Sequence, residues 1–263
     1  MNSMDGPIDV NVFLGSYPFR RVPGTSPAAV LAGMDRVGTA QAWVSHLPSL
    51  FWKDPSEGNQ WLYEVAAAEA RFRPVPSIQP ELATWRDVLN EARRQRVPAI
   101  RCDPHFLGMD PTSLPMKNLA SACGELGLPL MMAVKLEDSR QRHPNDVAAD
   151  LAPSSIRTLL RMHPRTRLIV THADRGCIEE VHFGSTPEEA SRIWWDICWI
   201  WGPPEDHLAT LVRTVGPERF LFGTGMPLRL PENGSAKLDL SDLPAAQRSS
   251  IERGNAVTLG QRS

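Results

Sequence analysis

From residue 8 onward the chain repeats one pattern: a short apolar run, then a longer stretch whose apolar positions recur at helical spacing. Ile8 to Leu14 alternates, with Ile8, Val10 and Val12 on one face and Asp9, Asn11 and Phe13 on the other. It reads as a first strand whose polar face needs partners if buried. A Gly/Pro-rich loop leads to a helix capped by Ser26, with Pro27 at its first position. Further strands are expected at Gln41 to Ser45, Phe72 to Ile78 (broken by proline), Ala99 to Cys102 and Leu130 to Val134. Others are expected at Arg167 to Asp174, Trp195 to Trp199 and Phe220 to Phe222. Helices are expected over 59–71, 84–96, 115–126, 153–163 and 206–215, with one opened by Thr186 and its acidic first turn and one closing the chain over 243–258.

That makes about eight β/α units. Such alternation requires crossover connections and a parallel sheet. An α/β fold follows, and 263 residues suit a (β/α)₈ TIM barrel forming one domain over 1–263. A doubly wound open sheet fits less well, because no Gly-rich phosphate turn follows any early strand. No linker, solenoid repeat or low-complexity segment interrupts the pattern.

Composition removes whole classes of function. A formal net charge of −2 gives no electrostatic case for nucleic acid or an anionic membrane surface, and no apolar run reaches membrane-spanning length. Four cysteines, without CxxC spacing or a secretion signal ahead of them, predict reduced thiols and a cytoplasmic protein. The tryptophan-rich run Trp194 to Trp201 belongs to the core or to an interface between copies, so a homo-oligomer is allowed. The expected partner is a small-molecule substrate.

In a barrel of this kind the site lies at the C-terminal ends of the strands. The polar residues read there include Asp9, Asn11, Asp103, His105, Lys135, Glu137, His172 and Asp174, with Trp199 as a candidate pocket wall. His172 and Asp174 share a face if their strand runs that far. His172 is the candidate general base, with Asp174 or Asp9 to orient its ring. Arg101, Lys135 and Arg140 are candidates to hold a substrate carboxylate or stabilise an oxyanion.

Five stretches together carry a family resemblance. RFLFGTGMP (Arg219 to Pro227) resembles the strand-eight signature of the amidohydrolase-related barrels, roughly R-[VIF]-[LM]-F-G-[ST]-D-x-P. IDVNVFLG resembles the strand-one segment that carries H-x-H, and RLIVTHAD sits where the family has its strand-six histidine. LPLMMAVKLEDSRQRHP is similar to the strand-five region, and IERGNAVTLG to the C-terminal helix. The resemblance implies the barrel and hydrolysis or, in some relatives, decarboxylation of small cyclic or carboxylated molecules.

The departures bear on mechanism. The family's strand-one histidines fall on Asn11 and Phe13, and its strand-eight aspartate on Gly225. An amide is a poor zinc ligand, and phenylalanine and glycine offer no donor. The expectation is therefore a hydrolase of a small ester, lactone or amide, with no tightly bound metal and no cofactor. The alternative is a catalytically silent barrel that binds a small acid or serves a partner. A third reading relocates a metal to His105, Glu137 and His172.

Overall fold

The computed structural model describes residues 5–261. Eight strands appear in chain order: β1 (Ile8–Leu14), β2 (Gln41–His46), β3 (Phe72–Pro74), β4 (Ile100–Arg101), β5 (Leu130–Ala133), β6 (Leu168–Thr171), β7 (Ile193–Asp196) and β8 (Phe220–Leu221). Each pairs in parallel with its neighbours in two arcs, β1-β2-β3 and β4 to β8. Parallel bridges between Ser77 and Arg101 and between Val12 and Met226 join the arcs, so the sheet closes into the TIM barrel.

Local chemistry sets the helix ends. The Ser26 hydroxyl accepts from the Ala29 N–H at 3.3 Å and starts helix Pro27–Arg36. Gly127 takes φ +70° and stops helix Leu114–Leu126. Thr186 and Glu189 close a reciprocal capping box. Some boundaries differ from the periodicity. The helix expected from Asn59 spans Ser56–Ala68, and the closing helix is interrupted by a wide turn at Ser250–Gly254. None of the described helices is long and apolar enough to cross a membrane.

The strands alternate between two apolar layers. Ile100, Leu130, Met132, Leu168, Val170, Ile193, Trp195 and Phe220 pack outward against the helices. Ile8, Val10, Trp43, Val75, Ala99, Met131, Ile169, Trp194 and Leu221 form a second cluster with Ala256 and Leu259 of the final helix. Above that inner layer lies a polar one, in which Asn11, Arg101, Asp103, His172 and Asp196 are all fully or almost fully buried. The barrel supplies the depth that removes these groups from water.

Two departures from simple alternation aim the polar layer. A β-bulge lies between Asp9 and Val12. Ile8 and Val10 therefore pack with Met131, Ile169 and Leu221, whereas Val12 and Leu14 pack with Val30 and Met34 of the first helix. The single alternating face expected for β1 is thus broken in the middle.

The second departure is at His172. β6 ends at Thr171, not at Asp174, and His172 takes φ +58°. Strict alternation from Leu168 and Val170 would send its ring outward. The left-handed backbone brings it onto the barrel axis instead.

The outward layer gives a direct test of the packing. Trp195→Ala, at a side chain only 1% exposed, is expected to cost about 3–5 kcal/mol in chemical denaturation.

Candidate active site

Four strands converge on one amide. Asn11 of β1 accepts from Arg101 Nη2 at 2.9 Å through its Oδ1. Its Nδ2 donates to Asp196 Oδ2 at 2.7 Å and lies 3.3 Å from His172 Nδ1. Asp196 Oδ1 accepts from the backbone N–H of His172 at 2.9 Å, pinning the left-handed turn that ends β6. The Thr171 hydroxyl also lies 3.3 Å from Nδ1.

His172 Nε2 has no hydrogen-bond partner. It lies against Gly225. A Cβ built there would sit 3.2 Å from Nε2, 3.5 Å from Arg229 Cδ and 3.7 Å from Cys198 Cβ. Gly225 takes φ +72°, so an L side chain is disfavoured on backbone grounds as well.

Aromatic rings and cations close the site. Phe13 and Trp199 lie 6.2 and 6.1 Å from the His172 ring, centroid to centroid. The Arg229 guanidinium stacks 3.7 Å over Trp199, and Arg101 lies 4.7 Å over Phe13. Lys237 Nζ donates to the carbonyls of Ile197 and Cys198 at 2.9 and 2.8 Å. Outside this stack opens a hollow of about 480 Å³ lined by Trp199, Trp201, Arg229, Asn233 and Lys237.

Burial governs the charges. It holds His172 well below its ordinary pKa, and Arg229, Arg101, Lys237 and Lys135 add to the effect, so the ring is neutral at physiological pH. Burial raises Asp196, against hydrogen bonds from Cys198, His172 and Asn11 that lower it. It also pushes the Cys198 thiol well up, with the neighbouring Asp196 acting in the same sense. Burial draws Arg101 down, while Asp103 and Asp196 oppose that shift.

The residues expected at the strand ends divide. Asn11, Arg101, His172 and Trp199 come together as described. Asp174 does not orient His172. It caps helix Arg175–Phe183 through Cys177 N–H at 3.0 Å and pairs with Lys135 at 3.2 Å. Asp9 does not face the ring either; it accepts from Thr224 Oγ1 at 2.5 Å and from the N–H groups of Thr224 and Asn11.

Asp103 accepts from Ala133 N–H at 2.5 Å and stands near Arg101, whose charge holds its pKa back against burial. His105, in the turn Pro104–Leu107, lines a separate hollow with Phe51 and Phe106. Lys135 bridges Asp150 and Asp174, both at 3.2 Å. Glu137 pairs with Arg20 at 2.6 Å, and Arg140 is exposed and pairs with Asp138 at 2.8 Å.

Asp196, Cys198, Arg229 and Lys237 were not anticipated. Placing β7 at Trp195 to Trp199, rather than at Ile193–Asp196, put Asp196 at the wrong end of its strand. Lys237 arrives from helix Glu232–Leu240, outside the strand periodicity altogether.

The family resemblance implies a divalent metal, and the donors do not fit one. Asn11, Phe13 and Gly225 stand at the strand-one and strand-eight positions. His105, Glu137 and His172 are not gathered. Among the described residues the close group is His172, Asp196 and Cys198, with ligand atoms within 4.8 Å of one another. The group offers three ligand atoms, Phe13 and Gly225 add none, and four cationic side chains raise the potential at His172. A cation is opposed there. Zinc or manganese is therefore expected to leave the thermal midpoint unchanged; a site held at a hundred times its Kd would add about 2.7 kcal/mol.

Asp9 gives a second test. Burial raises its pKa to about 7 from 3.8, despite the hydrogen bonds from Thr224 and from the Asn11 and Thr224 backbone. The fold therefore favours the protonated acid. Its contribution to stability is full below about pH 3.8 and is lost as pH rises through about 7. Asp9→Asn is expected to remove that part of the slope in denaturation measured across this range.

Among solved structures the chain is similar to a 2,6-dihydroxybenzoate decarboxylase complexed with 2,6-dihydroxybenzoate, at 14% identity and TM-score 0.74, over 97% of this chain and 98% of that one. It is similar to 5-carboxyvanillate decarboxylase from Sphingomonas paucimobilis, with the same identity and TM-score, over 97% and 99%. A third is a dihydroxybenzoic acid decarboxylase from a Polaromonas species with bound manganese and 2-nitroresorcinol, at 14% identity and TM-score 0.71, over 97% of each chain. At such identities the likeness shows the fold. No curated protein sequence matches the chain. The amidohydrolase family model matches residues 20–259, through the strand ends that carry Arg101, His172 and Asp196. The chain belongs to the amidohydrolase family.

Proposed function

We propose that this amidohydrolase-family barrel hydrolyses a small ester, lactone or amide of a carboxylated ring compound, with no step routed through a tightly held metal. The observation that carries the reading is the fully buried His172 ring, whose Nε2 has no hydrogen-bond partner and lies against Gly225, with the Asp196 carboxylate beside it. A neutral imidazole and a carboxylate of raised pKa, side by side, supply a ring that can meet a carbonyl and a group that can take a proton near neutral pH. The chain's own side chains then supply what a metal supplies elsewhere: a polarising donor and an activator of water.

The substrate class rests on the outer hollow. Arg229 and Lys237 suit a carboxylate, and the faces of Trp199 and Trp201 suit a flat ring. The fold neighbours named for 2,6-dihydroxybenzoate and 5-carboxyvanillate act on molecules of that description. A substrate reaching His172 must lift Arg229 off Trp199, exchanging a cation–π contact for an ion pair with its own carboxylate.

One observation favours a second reading, a catalytically silent barrel that binds small acids. His172 has no exposed surface, and Phe13 and Trp199 stand over it.

A panel of carboxylated lactones, aryl esters and anilides separates the two, alongside 2,6-dihydroxybenzoate as a decarboxylation control. The expected result is hydrolysis that falls by about 10²–10⁴ in His172→Ala and in Asp196→Asn, while Asp174→Asn stays within a few-fold. Saturable binding of the same acids without turnover would establish the silent barrel. Equal rates in His172→Ala and the parent protein would reject His172 as the reacting group.

A further inference from the structure

The network around His172 fixes the direction in which its proton moves. Arg101 bears only donors, so the atom of Asn11 that meets Nη2 at 2.9 Å must be the amide oxygen. The Asn11 nitrogen is then the atom 2.7 Å from Asp196 Oδ2 and 3.3 Å from His172 Nδ1. An amide NH₂ donates and does not accept. One of its hydrogens goes to the carboxylate; the other has Nδ1 at 3.3 Å and the weaker acceptor Cys198 Sγ at 3.9 Å, and the nearer, stronger acceptor is the ring. A proton on Nδ1 would confront that hydrogen head-on. The Thr171 hydroxyl lies 3.3 Å from the same nitrogen and 3.4 Å from the Met132 carbonyl, and its one hydrogen can serve either; the Asn11 amide, which can only donate, decides between them.

We infer that Asn11, locked in orientation by Arg101, is a positioning residue that holds His172 as the Nε2–H tautomer, making the ring a hydrogen-bond donor to substrate and leaving Asp196 as the base. The catalytic half of this inference rests on the hydrolytic reading above; the tautomer does not. It also revises the role expected for His172 from sequence, where it stood as general base.

The step balances without any group outside the chain except substrate and water. The water oxygen adds to the carbonyl carbon as its proton passes to the Asp196 carboxylate. The carbonyl π pair moves onto oxygen, which accepts a hydrogen bond from His172 Nε2–H. Collapse restores the carbonyl and expels the alkoxide or amine, which takes the proton back from Asp196.

The test reads the ring directly. The protein is labelled with ¹⁵N-histidine, and the His172 signals are assigned by their loss in His172→Gln. Two-bond nitrogen–proton couplings then report which ring nitrogen is protonated. Protonated Nε2 and bare Nδ1 are expected in the parent protein. In Asn11→Asp the two carboxylates, 2.7 Å apart, share one proton held by Asp196, and the new oxygen accepts from Nδ1 where the amide donated, so the ring proton is expected on Nδ1. A protonated Nδ1 in the parent overturns the inference without recourse to any variant. So does a folded Asn11→Asp protein whose tautomer is unchanged.

Kinetics supplies a separate arm. Asn11→Asp is expected to lower kcat about a hundredfold with KM within about threefold, as for loss of one donor to a developing oxyanion. His172→Gln, whose side-chain amide still offers an N–H, is expected to recover at least about tenfold over His172→Ala. Equal rates for His172→Gln and His172→Ala would overturn the donor role. If the tautomer is as stated and switches in Asn11→Asp while no member of the panel is turned over, the hydrolytic reading fails and the positioning of His172 stands.

Discussion

The guanidinium of Arg101 sits in the middle of the barrel with almost no exposed surface. A charge so placed is tolerated only where its surroundings answer it. Asp103 and Asp196 supply opposite charge, the Phe13 ring supplies a π face, and Asn11 supplies a carbonyl to Nη2, while Nε and Nη1 keep no hydrogen-bond partner. These groups come from β1, from the segment after β4 and from β7. The requirement to compensate one cation therefore holds three separate parts of the barrel in register with one another. His172 is placed as a by-product: Asp196, recruited beside the cation, takes its backbone N–H, and Asn11 meets its ring.

The architecture was legible because it depends on patterns that survive small errors. Short apolar runs separated by capped helices define strands to within a few residues, and parallel crossovers then allow few closed sheets. Ser26, Gly127 and Thr186 act through local hydrogen bonds or a local left-handed backbone, so each was readable in place. The conflict between the family's metal positions and Asn11, Phe13 and Gly225 was readable for the same reason. It concerns which atoms a side chain possesses, not where that side chain points.

The site was less legible because side-chain direction depends on events of a single residue. A bulge in β1 and a left-handed backbone at His172 each reverse the alternation on which face assignments rest. Asp174 was paired with His172 by counting two residues along an extended chain, yet the chain is no longer extended there. Asp196 is masked in the sequence by the tryptophan-rich run, which places the end of β7 at Trp199 where the strand in fact ends at Asp196. Arg229 and Lys237 arrive from beyond β8, and no spacing rule links them to the strands they serve. Charged residues near a strand end were the usable signal, and they over-predicted: Glu137 and Arg140 answer Arg20 and Asp138 outside the polar layer.

Gly225 limits how this barrel could be redesigned. The position where the family resemblance places a carboxylate is here a backbone turned left-handed, with the imidazole drawn up against it. Restoring that acid by one codon would place a β-carbon against the ring on a torsion that penalises it. The imidazole, its turn and the amide from β1 would all have to shift first. Each of those shifts in isolation disturbs the answer to the central guanidinium. An ion-binding carboxylate therefore cannot be grafted at this position by one substitution; it demands several simultaneous replacements.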